Sequence, residues 1–151
     1  YDQEDELPPV IELNLATQRP EISVNGSDVT IVASGHASLL AREAEKLLKC
    51  ENISVEVIDV RVLNPFHAEE IIESVKKTKN LLVVDSGWIS GGFSAEVIAK
   101  VVEQLPVNCL NNPPVRVALP DAPAPTSRVL EKAYYTSTDD VVKAVKKILN
   151  S

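Results

Sequence analysis

The stretch that decides the fold is LLVVDSGWISGGFSAEV, residues Leu81 to Val97. An apolar, β-branched run ends in the acid Asp85, a glycine-bearing loop follows from Gly87 to Phe93, and a helical pattern begins near Ser94. Strand, glycine loop, helix is the order of many phosphate sites. This loop lacks their signatures. The fingerprint G-x-G-x-x-G is absent, and Phe93 and Ser94 stand where a P-loop needs Lys and then Ser or Thr. The loop also follows the third strand of the pattern, whereas the usual dinucleotide loop follows the first. Gly91 and Gly92 read as residues that permit unusual backbone angles and close approach of another segment. Trp88, the only tryptophan, is either an interface anchor or a cover over the edge of its own core.

Outward from this stretch, strands and helices alternate. VTIVAS, from Val29, is a short buried strand, and ASLLAREAEKLLK is a helix with Leu39, Leu40, Ala44, Leu47 and Leu48 on one face. ISVEVIDV is the second strand, LNPF breaks the chain, and AEEIIESVKKTK is the second helix. After the third strand, NLLVVD, the helix SAEVIAKVVEQL takes Ser94 as its cap and turns Val97, Ile98, Val101, Val102 and Leu105 inward. VRVAL is a fourth strand, and PDAPAPTS cannot be regular structure. A short helical turn over 128–135 precedes a closing helix capped by Ser137 or Thr138, with Asp139 and Asp140 at its positive end. Such alternation specifies an α/β fold with a mainly parallel sheet and helices on both faces. Residues 1–27 hold three prolines, many acids and an Asn25-Gly26 turn. They read either as a linker from another domain or as an ordered arm on this one, ahead of a regular domain over 28–151.

The 151 residues suit one domain, and 44% hydrophobic residues with only 4% aromatics imply an aliphatic core. A formal net charge of −7 argues against nucleic acid as a partner and suits a basic protein partner. No apolar run reaches the roughly 18–20 residues of a membrane span. Cys50 and Cys109 lack metal-ligand spacing and read as reduced thiols of a cytosol-like compartment. Met is absent throughout, so the chain reads as an excised domain or a processed product.

Candidate chemistry is sparse. His36, after the first strand, is a candidate anion ligand or base, and His67 opens the second helix; neither has an obvious partner nearby in sequence. Ser34-Gly35-His36 is not a nucleophile elbow, because G-x-S-x-G is missing. No catalytic, cofactor-binding or metal-binding constellation is complete within this chain.

Three stretches together resemble a known family: DVTIVASGHASLLAREAEKL (28–47), VEVIDVRVLNPFHAEEIIESVKKTKNLLVVDSGWISGGFSAEV (55–97) and PPVRVALPDAPAPTS (113–127). They resemble the C-terminal domain of transketolase-like enzymes. The best match is the β subunit of the E1 component of thiamine-diphosphate-dependent 2-oxoacid dehydrogenases of the pyruvate, branched-chain and acetoin type. Arg61, Leu63 and Pro65 match a V-R-x-L-x-P motif. Gly87, Trp88 and Gly92 match the loop after the third strand, and Arg116, Pro120, Asp121, Pro123 and Pro125 match the proline-rich ending. His67 departs from the family's acidic helix cap, and Asp85-Ser86 replaces an acidic pair or acid-Gly.

The resemblance implies a three-layer sandwich around a mostly parallel five-stranded sheet with one antiparallel strand. It implies that residues 1–27 lead from a missing pyrimidine-binding domain. It places thiamine diphosphate and magnesium in the parent enzyme, outside this domain. It gives the domain the work of subunit contact, through Gly87, Trp88, Gly91, Gly92, Phe93 and Asp121. The implied partners are an E1 α-type subunit, a second β subunit and the lipoyl acyltransferase (E2), in a bacterial cytosol or an organelle matrix. Two other readings stay open. One is a stand-alone flavodoxin-like module with an anion or nucleotide at Gly35-His36 or the Gly87 loop. The other is a transketolase or deoxyxylulose-phosphate synthase fragment.

Overall fold

The computed structural model describes residues 14–150. A 3-10 turn at Leu15–Thr17 leads into β1 (Glu21–Val24), β2 (Val29–Ala33), α1 (His36–Lys49), β3 (Val55–Asp59) and α2 (Glu69–Thr78). Then follow β4 (Leu81–Trp88), α3 (Phe93–Gln104), β5 (Val115–Leu119), α4 (Arg128–Tyr134) and α5 (Thr138–Leu149). The five strands lie in the order β1-β3-β2-β4-β5. β1 runs antiparallel to β3, and every other neighbour is parallel. This is the mostly parallel sheet with one antiparallel strand that the resemblance implies.

Alternation along each strand divides the core into two layers. Val29, Ile31, Val55, Val57, Leu82 and Val84 face α1 and α5. Val32, Ile58, Leu81 and Val83 face α2 and α3. Each fully buried aliphatic side chain contributes roughly 1.5–3 kcal/mol, so the two layers carry the fold without large aromatics. Two polar groups inside are paired with buried or charged partners. Thr30, on buried β2, meets Ser74 Oγ at 2.6 Å and Thr78 Oγ1 at 2.7 Å. Glu56, 1% exposed on β3, pairs with Lys77 and accepts the Gly26 N–H at 3.2 Å. Burial pushes its carboxyl pKa up, but the hydrogen bonds from Lys77, Ser74 and the Gly26 amide outweigh that and hold it below the ordinary value. Among the described residues no helix is long and apolar enough to cross a membrane, and both cysteines are free.

Four details of strand extent and helix packing differ from the sequence pattern. The sheet takes in Glu21–Val24, upstream of the expected start at 28; residues 1–13 lie outside those described. β1 is short, half-exposed and flanked by Pro20 and Asn25-Gly26, and it lacks a buried strand's apolar run. It is tied down by side chains instead: Arg61 pairs with Glu21 at 3.2 Å and donates to the Arg19 carbonyl at 3.0 Å. Secondly, α1 packs through Ala37, Ala41, Ala44 and Leu48, while Leu47 is 49% exposed. Small residues let the helix approach the sheet and α5 closely, so the buried face is rotated from the leucine-rich one. Likewise, in α3 Val97 and Val101 are buried but Val102 is exposed. The fourth difference, the length of β4, concerns the site below.

α5 starts at the expected cap. Ser137 Oγ accepts the Asp140 N–H, and Asp140 Oδ2 accepts the Ser137 N–H at 3.0 Å, a reciprocal capping box. Hydrogen bonds from the Ser137 hydroxyl and then its amide hold the Asp140 carboxyl below the usual carboxylate range. Ser137→Ala is therefore expected to lower stability by about 1 kcal/mol at neutral pH. A carboxyl whose folded pKa is depressed stabilises above its unfolded pKa and loses that contribution as pH falls through the folded value. The difference between wild type and variant should thus shrink below about pH 4, which urea titrations at pH 7 and pH 3 would show.

Candidate functional site

The site grows from the carboxyl end of β4. Leu81 to Asp85 are buried. The pattern expected the strand to end there, but it continues to Trp88 because β5 goes on pairing with it. The register is Val84 with Val117 and then, across an irregularity, Trp88 with Leu119. The Ile89 N–H donates to the Leu119 carbonyl at 2.8 Å.

Asp85, 7% exposed, organises the turn that follows. Its Oδ1 accepts the Gly87 N–H at 2.8 Å, and its Oδ2 accepts the Ser94 N–H at 2.7 Å. A carboxylate is thus seated at the amino end of α3, where free N–H groups and the helix dipole favour negative charge. The place of a phosphate at this loop is taken by the chain's own acid. Ser94, expected as the cap, is instead the second residue of α3, with Gly92 at the cap position. Its hydroxyl is buried and has no hydrogen-bond partner among the described residues. The cap position falls to Gly92 because the backbone closes on itself there: a Cβ on Gly92 would lie 2.1 Å from the Trp88 carbonyl oxygen and 2.9 Å from Asp85 Oδ2. Gly91, at φ 69°, supplies the left-handed residue of the same turn.

The proline-rich loop after β5 meets this turn. Asp121 Oδ1 accepts the Ser90 N–H at 3.1 Å, and Asp121 Oδ2 accepts the Ser90 hydroxyl at 2.6 Å. Arg116 Nη1 donates to the Ile89 carbonyl at 2.6 Å. Trp88 Nε1–H donates to the Tyr134 hydroxyl at 3.0 Å, which in turn donates to the Ala122 carbonyl at 2.7 Å. Two motifs distant in sequence become one rigid platform. Trp88 stays 54% exposed on it and, with Asp121, Ala122 and Pro123, frames a shallow hollow of about 200 Å³. α4 beside it has no buried residue and exposes Val129 and Leu130.

Of the expected contact residues, Gly87, Trp88, Gly91, Gly92 and Asp121 thus come together. Phe93 packs edge-to-face on Phe66, ring centroids 5.3 Å apart, against the α2–α3 layer. Arg61, Leu63 and Pro65 lie on the β3–α2 connection, where Leu63 is exposed. His67 bonds through Nε2 to the Ala16 carbonyl at 3.0 Å, and α2 starts at Ala68 without a side-chain cap. His36 opens α1 and lines a cavity of about 210 Å³ with Asp85, Ser86, Leu119 and Thr136, beyond the carboxyl ends of the central strands. Among the described residues no three His, Cys, Asp or Glu side chains gather to hold a metal ion.

Sequence reasoning missed two residues that build the platform. Asp85 had a readable signal, since an Asp two residues before Gly is the pattern of an Asx turn. Tyr134 had none, because its partner Trp88 lies 46 residues away.

Comparison with known proteins agrees with this architecture. Residues 19–141 match the family "Transketolase, C-terminal domain". The chain is 39% identical over 132 residues to the mitochondrial pyruvate dehydrogenase E1 component subunit beta of Caenorhabditis elegans, covering 87% of this chain and 38% of that protein. It is 38% identical over 148 residues to the corresponding subunit of Rickettsia felis, covering 98% of this chain and 45% of that one. The chain thus spans less than half the length of these relatives. Among solved structures it resembles a "Split gene transketolase, inactive beta4 tetramer" with a TM-score of 0.79 at 30% identity, covering 97% of this chain and 46% of that one. A 2-oxoglutarate:ferredoxin oxidoreductase from Magnetococcus marinus shares the fold alone, with a TM-score of 0.61 at 17% identity over 87% of this chain and 20% of that one. Sheet order, layers and the residues matched lead to one conclusion: the chain belongs to the transketolase C-terminal domain family.

Proposed function

We propose that this chain is the assembly domain of an E1 β-type subunit. Its parent enzyme decarboxylates a 2-oxoacid of the pyruvate kind on thiamine diphosphate with magnesium and passes the acyl group to a lipoyl acyltransferase. Residues 1–27 then form the linker or arm that leads from a pyrimidine-binding domain. The partners are an α-type subunit, a second β subunit and the acyltransferase, in a bacterial cytosol or an organelle matrix. The names of the Caenorhabditis elegans and Rickettsia felis relatives support this reading. The described residues offer no acidic cluster for a magnesium-bound diphosphate, so no step of the thiamine chemistry is assigned to them.

The observation that carries the proposal is the Trp88 platform. A half-exposed tryptophan is fixed by Tyr134 beside an α4 that buries nothing of its own. Rigid aromatic anchors in such surroundings dominate association energies. Trp88→Ala in the full-length subunit, mixed with its α-type partner, is expected to raise the dissociation constant at least tenfold, matching the roughly 2 kcal/mol of an interface anchor. Its unfolding temperature should stay within a few degrees of wild type. Sedimentation velocity reads the first quantity and thermal unfolding the second. Unchanged association would remove Trp88 from the contact.

A further inference from the structure

β5 ends the sheet on one side, and among the described residues no strand pairs with its outer edge. The register tells which backbone groups are left over. The Leu119 carbonyl accepts the Ile89 N–H, so Leu119 faces β4. In a strand successive residues turn their N–H and C=O to opposite sides. Val115 and Val117 therefore also face β4, and Arg116 and Ala118 direct two donors and two acceptors outward. Pro120 stops the strand but does not interrupt this edge.

The edge is not a flat rim. It forms one side of a groove of about 510 Å³ whose opposite wall includes Tyr134, Tyr135, Thr136 and Asp140. Val117 packs in the α1–α5 layer, so Arg116 and Ala118 lie toward the other face. Yet Arg116, Val117, Ala118 and Leu119 all line the groove, which therefore runs along the strand edge itself. Both walls bear charge: Arg116 on the α2–α3 side, and Asp140, at the start of α5, on the other.

We propose that the outer edge of β5 takes one extended segment of another polypeptide, added as a sixth strand, with an acidic side chain toward Arg116 and a neighbouring basic one toward Asp140. The outward amides and carbonyls of Arg116 and Ala118 supply the main-chain bonds of strand addition. Alternation of side chains in the added strand puts adjacent residues on opposite faces, so an acid and a base next to each other meet both walls. An apolar residue two positions from the base reaches Tyr135, which is 50% exposed. A second copy of this domain does not fit as occupant. Its own β5 is walled in the same way, and two walled edges cannot meet. The inference rests on the edge of β5 and not on the subunit contact proposed above.

The test uses this 151-residue chain and the peptide acetyl-Val-Thr-Lys-Glu-Val-Thr-amide, followed by amide exchange in NMR spectra. The peptide is expected to slow exchange at Arg116 and Ala118 at least tenfold. The same peptide N-methylated at alternate amides should lose the effect, since it keeps the side chains and loses the main-chain donors. Ala118→Pro should also lose it; proline is tolerated on an edge whose N–H faces solvent, so the variant should keep the wild-type fold. No slowing at millimolar peptide would overturn the proposal. Equal slowing by the N-methylated peptide would also overturn it, by showing contact without strand addition. Protection that rises with protein concentration in the absence of peptide would assign the edge to a second copy instead.

Discussion

Gly92→Ala is expected to destabilise the domain by about 3 kcal/mol or more, the upper range for forcing atoms into a closed space. For a chain of this size that lowers the unfolding temperature by roughly 6–12 °C. The reason is space and not backbone angle. Gly92 has φ −74°, which any residue adopts. Its missing Cβ would stand 2.1 Å from the Trp88 carbonyl oxygen, a backbone atom that cannot swing away. To relieve the clash, the start of α3 must move off β4. That breaks the Asp85–Ser94 hydrogen bond and tilts the Trp88 platform. Gly91→Ala is the control. Gly91 has φ 69° with nothing within 4 Å of a Cβ, so the change adds only the strain of a left-handed alanine, about 1–2 kcal/mol. Thermal unfolding of both variants decides the matter. If Gly92→Ala proves no worse than Gly91→Ala, the close approach is not what selects glycine here.

Asp85→Ala is the second large effect, an expected loss of about 2–4 kcal/mol. The carboxylate accepts two backbone N–H groups, and the Ser94 amide belongs to a fully buried residue. Alanine leaves both donors without an acceptor and removes the negative charge from the amino end of α3. Asp85→Asn keeps one acceptor oxygen but turns an NH₂ toward the other amide, so it should fall between wild type and alanine. Trp88 is the only tryptophan, and its fluorescence reads the same event locally. Emission should shift to longer wavelength in Asp85→Ala, because a loosened turn frees the indole from Tyr134. Wild-type emission together with wild-type stability would show that the turn holds without its carboxylate.

These two residues also show how far the sequence could be read. Asp85, Gly91 and Gly92 stand in one stretch, and the strand–loop–helix order was legible from apolar periodicity alone. The absence of a phosphate fingerprint was legible too. That the loop's amides would be met by Asp85 was not, since it depends on β4 running on to Trp88, and that continuation depends on pairing with β5. The leucine-rich face of α1 misled for a related reason. Periodicity says that a helix has an apolar side, but Leu47 is exposed while Ala37 and Ala41 are buried, because closeness of approach favours small side chains. β1 was hidden because a half-exposed edge strand needs no apolar run.

The sequence by itself determined the order of strands and helices from β2 onward, the aliphatic core, a cap at Ser137 or Thr138 and the family likeness. Each of these is written in neighbours two to four positions apart or in short motifs, where backbone geometry and burial act locally. Only the tertiary structure decided that Ser90 meets Asp121 across 31 residues and Trp88 meets Tyr134 across 46. It also decided that the outward backbone of β5 opens onto a groove. Those contacts come from the crossing of chain segments at the carboxyl edge of the sheet, and no local spacing in the sequence encodes where such crossings fall.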